Sequence, residues 1–255
     1  MKEKKQKVIA IVGPTSSGKS ALGVYLAKKL GGEVISADSR QVYRGVDLIS
    51  GKVTQREMGG VPHHMLSIAD PKKPYSVQMY ATHAAKIIEG IRQRGKVPII
   101  LGGTGFYIDA LLRGISLPSV LPNASLRRRL SKKSASQLFI LLKKLDPHRA
   151  KTIDCNNPVR LVRAIEIAKA LGKVPKIKKQ NYTIYRTLFI GLDLPDKILK
   201  KKIRARIKER LTKGMVQEAK LLRKDGVSLK RMRSLGLELR HLADLLEGKI
   251  SRKDF

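Results

Sequence analysis

Cysteine is nearly absent: Cys155 stands alone in 255 residues. One thiol excludes a disulfide framework and cannot supply the thiolate set of a structural zinc site. Its expected setting is that of a small buried or half-buried side chain. Long apolar runs are missing too, and no stretch approaches the roughly 20 residues a helix needs to cross a bilayer. The opening MKEKKQK is charged and leads straight into a strand pattern, unlike a secretory leader. A cytoplasmic chain without a membrane span is the expectation, with a monomer as the default state. Acidic residues are scarce as well. Only 20 Asp and Glu face 54 Lys and Arg, a formal net charge of +34. An excess this large and this spread out points to a polyanionic partner, because the positive field speeds encounter and displaced counterions favour binding. Nucleic acid is the expected partner.

The length suits one large domain, or one domain with a smaller insert. Val8 to Val12 is a β-branched run that reads as a buried parallel strand. Gly18 to Leu30 follows as a helix, with Leu22, Tyr25, Leu26 and Leu30 on its apolar side and Gly31-Gly32 at its end. Glu33 to Ala37 is a second strand that ends at Asp38. Tyr75 to Arg94 is a helix that Ser76 can cap, with Val77, Tyr80, Ala84, Ile87, Ile88 and Ile91 at helical spacing. Val97 to Leu101 is a third strand, followed at once by GGTG. Strand, helix, strand, helix, strand is the α/β pattern of a parallel sheet. From about residue 115 the chain turns helical and basic. Asn157 caps a helix that Pro158 starts and Gly172 ends. Thr187 to Leu192 returns as a strand, and apolar residues at Ile203, Ile207, Leu211 and Met215 mark one later helix, with Leu239, Leu242 and Leu246 marking another. The expected boundaries are a first core segment at 1–114, a helical insert at 115–182 and a completing segment at 183–255. The lysine clusters at 176–179 and 197–202 read as solvated faces that also feel RNA.

Gly13, Pro14, Thr15, Ser16, Ser17, Gly18, Lys19 and Ser20 spell G-x-x-x-x-G-K-S between the first strand and the first helix. In such a loop successive backbone N–H groups and the helix N-terminus face an anion, the lysine neutralises it, and the Ser20 hydroxyl can ligate Mg²⁺. The loop alone suggests a nucleoside triphosphate. Nucleotide hydrolases also need an acid after a second apolar strand; LFIGLD, ending at Asp193, is the best candidate for it. The strand VPIIL ends instead in Gly102-Gly103-Thr104-Gly105, small backbone with one hydroxyl, suited to close approach of a ligand. A tight strand-to-helix turn is its plain alternative. Asp38 lies past the carboxyl end of the second strand, the edge where open parallel sheets bind ligands. It can be a turn cap, or a carboxylate that accepts a proton beside bound phosphates.

GPTSSGKS, ISADSRQVYRGVD, VPHHMLSIADPKKPYSV and PIILGGTGFYIDALLRG, in this order and spacing, resemble the tRNA dimethylallyltransferases, also called tRNA isopentenyltransferases or IPP transferases. DPHRAKTIDCNNPVRLVRAIEIAKALG, RARIKERLTKGMVQEAKLL and RSLGLELRHLADLLEGK extend the likeness over nearly the whole chain. The resemblance implies a P-loop NTPase-like parallel sheet flanked by helices, with a small helical insertion domain. It implies transfer of a dimethylallyl group from dimethylallyl diphosphate to N6 of the adenosine immediately 3′ of the tRNA anticodon, with Mg²⁺ as cofactor. On that pattern Asp38 is the general base, the loop from Gly13 to Ser20 holds the diphosphate, and Thr104 and Arg206 face the same channel. Asp38, Ser39, Arg40 and Gln41, with Thr104, approach the flipped base, and Arg127, Val159, Arg160 and Arg163 of the insert meet the anticodon stem-loop. Pro62-His63-His64 is expected to be structural or substrate-lining, since adjacent histidines point apart.

The chain departs from the family pattern at several places. Arg40 replaces a small or apolar residue, and LISGKV stands where IGTAKP is usual: Lys52 is kept and Ser50 can replace the hydroxyl, but Ile49 replaces a glycine. Asn156-Asn157 replaces Asn-Asp, and Leu237 replaces a tyrosine. A basic, aromatic block that usually follows is absent after Phe255, which is expected to weaken tRNA docking and leave the catalytic set intact. Two other functions fit parts of the sequence: a small-molecule or nucleotide kinase, which shares the loop but needs no such charge, and an RNA-binding relative that has lost catalysis.

Overall fold

Residues 7–115, 117–176 and 185–251 of the chain are described in a computed structural model. It divides into two compact units, Met1–Gly114 with Gln180–Phe255, and Ile115–Lys179. The expected boundary at 182–183, Lys178 and Lys179, and the opening lysines lie outside the described residues.

The larger unit begins with β1 (Lys7–Val12), α1 (Lys19–Leu30), β2 (Gly32–Ser36), α2 (Asp47–Ser50), α3 (Gln55–Met58), β3 (His63–His64), α4 (Val77–Gln93), β4 (Val97–Gly102) and α5 (Gly105–Leu112). The smaller unit holds α6 (Ala124–Leu130), α7 (Ala135–Leu145), α8 (Pro147–Ala150) and α9 (Pro158–Leu171). The chain then returns with β5 (Arg186–Gly191), α10 (Asp196–Thr212), α11 (Met215–Lys224), α12 (Leu229–Ser234) and α13 (Leu237–Leu246). All strand pairs among the described residues are parallel, in the order β3-β2-β4-β1-β5.

β1, β2 and β4 carry the β-branched runs, and Ile11, Val34, Ile35, Ile99 and Ile100 are fully buried. Parallel strands covered on both faces need such continuous apolar runs. β5 is different: as an edge strand it leaves Leu188 and Phe189 largely exposed. α4 follows its expected stripe, with Ser76 accepting the Met79 N–H as the cap and Tyr80, Ala84, Ile88 and Ile91 buried. α1 does so only in part. Leu22 and Leu26 pack against the core, but the fully buried positions are Gly23 and Ala27, while Tyr25 and Leu30 are exposed. The sheet comes so close that a Cβ at Gly23 would overlap Leu101, so small residues and not large ones face it. Met215 also falls elsewhere than its spacing suggests. Gly214, at φ 99°, ends one helix and starts the next, so Met215 opens α11 and does not close α10. Cys155 is exposed, because it lies in the turn where Asp154 accepts the Asn156 N–H just before the α9 cap.

The smaller unit has its own core of Leu126, Leu130, Leu138, Leu142, Leu161 and Ile165. Asn157 accepts the Arg160 N–H and Pro158 starts α9. Among the described residues no helix is long and apolar enough to cross a membrane.

Candidate active site

The phosphate loop leaves β1 at Gly13, whose φ of 150° and closeness to the Leu192 carbonyl exclude a side chain. Ser16 and Gly18 take left-handed φ values of 64° and 97°. Left-handed turns of this kind can aim backbone N–H groups at an anion before the first turn of a helix. Lys19 Nζ donates to the Gly13 carbonyl at 2.8 Å and the Pro14 carbonyl at 2.6 Å. The hydroxyls of Ser16 and Ser17 are buried with no partner. Buried polar atoms are paired in nearly all folded proteins, so these two fit a loop built to close on an anion.

A cleft of about 780 Å³ lies over the loop and the carboxyl ends of β2 and β4. Thr15 to Ser20, Asp38 to Gln41 and Gly102 to Thr104 line it, joined by Lys202, Arg206 and Arg210 of α10 and by Glu238. Asp38, Ser39, Arg40, Gln41, Thr104 and Arg206 therefore meet Lys19 and Ser20 in one place. Gly13 and Pro14 act through their carbonyls, which hold Lys19.

Asp38 Oδ1 accepts the N–H groups of Arg40 at 2.7 Å and Gln41 at 3.3 Å, closing the turn after β2. Oδ2 has no protein partner among the described residues. Thr104 Oγ1 accepts the Ser39 N–H at 3.1 Å and donates to Ser39 Oγ at 3.4 Å, tying the β4 turn to the β2 turn. Burial pushes the Lys19 ammonium below its ordinary range; the carboxylate of Asp38 pulls it back up and Arg206 pushes it further down. Lysine, carboxylate and guanidinium therefore feel one another's charge directly.

α2 is held from both ends. Glu218 of α11 accepts the N–H groups of Leu48 at 2.8 Å and Ile49 at 3.0 Å. At the other end Arg206 Nη2 donates to the Gly51 carbonyl at 2.6 Å, and Gln41 Nε2 adds a longer bond to it at 3.4 Å. Ile49, which stands where the family pattern has glycine, is buried in the core. Lys52 donates to the Tyr43 carbonyl and Ser67 Oγ and pairs with Asp47. The adjacent histidines are structural. His64 pairs with the buried Glu33, which also holds Arg94 and Lys96, and His63 bonds the Val61 carbonyl. Asp193 is exposed and accepts the Leu194 N–H; it is not among the residues lining the cleft.

In the smaller unit Arg127 and Arg163 converge on Glu166, whose side chain is 1 % exposed. Arg127 donates through Nε at 2.9 Å and Nη2 at 2.7 Å, Arg163 through Nη1 at 2.5 Å, and the Asn123 N–H at 2.6 Å. Burial alone would raise this carboxyl; Arg127, Asn123 and Arg163 overcome that and hold it at about 2. Both arginines keep partly exposed side chains, and Val159 and Arg160 are exposed on the first turn of α9.

Ser20 and Asp38 are hard oxygen donors beside the phosphate loop, and the Ser20 hydroxyl has no protein partner among the described residues. No group of three His, Cys, Asp or Glu there could hold a metal. The donor set therefore fits a magnesium ion that takes most of its ligands from phosphate oxygens and water.

Sequence reasoning missed Lys202, Arg210, Glu218 and Glu238. Lys202 and Arg210 were legible as the neighbours of Arg206 at a spacing of four on one helix. The two glutamates come from distant helices and carried no local signal.

Residues 41–255 match a family described as IPP transferase, and residues 6–68 match one described as isopentenyl transferase. The tRNA dimethylallyltransferase 2 of Treponema denticola is 41% identical over 253 residues, 98% of this chain and 85% of the relative. The tRNA dimethylallyltransferase of Geobacillus thermodenitrificans is 38% identical over 255 residues, 96% of this chain and 80% of the relative. Among solved structures, the tRNA isopentenylpyrophosphate transferase of Staphylococcus epidermidis superposes with a TM-score of 0.69 at 35% identity, over 98% of this chain and 83% of that one. A eukaryotic dimethylallyltransferase, described as acting on tRNA, gives 0.75 at 28% identity, over 96% of this chain and 67% of that one. The parallel sheet and its loop are those of a P-loop NTPase-like fold.

Proposed function

The chain belongs to the IPP transferase family, and from that premise we propose that it transfers a dimethylallyl group from dimethylallyl diphosphate to N6 of an adenosine beside the tRNA anticodon. The observation that carries this reading is the meeting of Asp38 with the phosphate loop and Arg206 in one cleft. In the transfer the allylic C–O bond breaks, and its electron pair leaves with pyrophosphate. The N6–C bond forms, and the N6 proton passes to a base. The loop amides, Lys19 and Arg206 stabilise the charge that grows on the leaving group. Asp38, held through Oδ1 by two backbone N–H groups, keeps Oδ2 without a protein partner among the described residues and takes the proton. Mg²⁺ held by Ser20 would neutralise further charge on the diphosphate.

The target base lies in a loop, so it can swing out without melting a long duplex. In this reading Ser39, Arg40, Gln41 and Thr104, which line or adjoin the cleft, meet the base, and Arg127, Val159, Arg160 and Arg163 of the smaller unit contact the stem-loop. Contacts to phosphates give affinity more than sequence choice. The positive excess favours a tRNA-bound role, and a cytoplasmic monomer is the working reading. Labelled dimethylallyl diphosphate incubated with tRNA and Mg²⁺ is expected to yield label in tRNA, recovered as an N6-alkylated adenosine after digestion. Label that stays in the small-molecule fraction would remove the proposal.

A further inference from the structure

Lys202, Arg206 and Arg210 recur every four residues along α10, and all three line the cleft. Residues four apart share one helix face. Their exposure falls along that stripe: Lys202 is exposed, Arg206 half-buried and Arg210 only 8 % exposed. Arg206 is the family's residue. Arg210 is the deeper one, and its surroundings are unusual for a buried guanidinium.

A guanidinium carries five N–H donors and a permanent charge. Arg210 makes one long bond with them, from Nη1 to the Ile49 carbonyl at 3.4 Å. Among the described residues no carboxylate is paired with it: Glu209, on the same helix, is paired with Lys213, and Glu238, Glu209 and Asp38 reach it only through space. Arg206 lies beside it and repels it. Burying a cation without a counter-ion is strongly unfavourable. Two guanidinium groups held side by side at a cleft wall make chemical sense where a doubly charged anion arrives between them.

The backbone opposite has been cleared for them. Gly51 sits at φ 59°, and a Cβ there would overlap the Arg210 head and stand 2.7 Å from Arg206 Nη2. The bare backbone at Gly51 and the two guanidinium heads packed against it are thus two halves of one local arrangement.

We propose that Arg210 is a second diphosphate-binding guanidinium, acting beside Arg206 in a two-arginine anion site whose space is made by Gly51. The ligand class is an organic diphosphate, or the inorganic pyrophosphate that its transfer releases. The inference rests on the reading of the cleft as a diphosphate site and adds a residue to it.

The test is titration of inorganic pyrophosphate with Mg²⁺ into the whole protein by calorimetry, beside steady-state transfer kinetics. Arg210→Met is expected to weaken pyrophosphate roughly tenfold or more, the usual range for a lost charge-assisted hydrogen bond. KM for dimethylallyl diphosphate should rise in step, with tRNA binding unchanged, a split that a merely structural role would not produce. Gly51→Ala should reproduce the loss with Arg210 present, and Arg210→Lys should recover part of it. If Arg210→Met does not fold, Gly51→Ala and Arg210→Lys decide the matter by the same two readouts. Unchanged pyrophosphate affinity in the folded variants overturns the inference, as does a loss confined to tRNA binding. Should the unaltered protein transfer label and bind pyrophosphate normally in that case, only Arg210 is misassigned. Should it do neither, the diphosphate reading of the cleft falls with it.

Discussion

The two oxygens of Asp38 have different surroundings. Oδ1 closes the turn after β2, and Oδ2 has no protein partner among the described residues. The turn contact and the proposed proton transfer separate on substitution. Asp38→Asn keeps an oxygen to accept the Arg40 N–H and removes the base, so the fold and tRNA binding should persist while single-turnover transfer falls at least about a hundredfold. Transfer at the original rate would take Asp38 out of the mechanism. Glu166 works through stability instead. Its folded pKa lies near 2, below the ordinary 4.5. A lowered acid stabilises the fold above its ordinary pKa, and that contribution disappears as pH falls from about 4.5 toward 2. Glu166→Gln should therefore lower the melting temperature at pH 7, by a loss of about 2–3 kcal/mol. It should also flatten the acid limb of the stability curve, which a pH series of thermal melts would read. An unaltered acid limb would mean that the Arg127 and Arg163 pairs contribute nothing.

The elements that build the site are short and are fixed by contacts from far along the chain. α2 is one turn long, too short to be stable alone, and Glu218 and Arg206 reach it across 170 and 155 residues of sequence. At the ends of β2 and β4 the backbones touch: a Cβ at Gly102 would overlap the Ala37 carbonyl. Gly102→Ala should therefore cost about 1–3 kcal/mol in a denaturant melt. It should reduce transfer further than that loss explains, because the displaced atom is one residue from Asp38. Full activity with normal stability would show that the turn can give way. What could be read from sequence follows the same division. The phosphate loop, the strands around it and the Ser76 and Asn157 caps are local patterns, and they form as their residues dictate. The apolar side of α1 was legible only in part: Leu22 and Leu26 pack on the core, but the sheet selects Gly23 and Ala27 for their small size, which periodicity does not register. The clamp on α2 and the depth of Arg210 were invisible because they depend on which distant helices meet.

On the scale of the whole molecule, charge is the dominant property: +34 over 255 residues. Binding that releases counterions weakens steeply with salt, and even a few phosphate contacts should lower tRNA affinity at least about tenfold between 50 and 200 mM salt. Filter-binding across that range checks this, and a flat response would argue that tRNA docks by shape with few phosphate contacts. The cleft itself should depend less on salt, since its cations are partly shielded from solvent. A phosphate loop on a parallel sheet fits a kinase as well as a prenyl transferase, and the family relationship together with Asp38 beside the loop favours the second. In the proposed reaction the loop holds the leaving group of an alkyl transfer. The most direct test measures pyrophosphate released against label incorporated into tRNA, with no nucleoside triphosphate present. The expected result is one pyrophosphate per alkylated adenosine, and none without tRNA. Incorporation that requires ATP, or phosphate release with no label in tRNA, would contradict it.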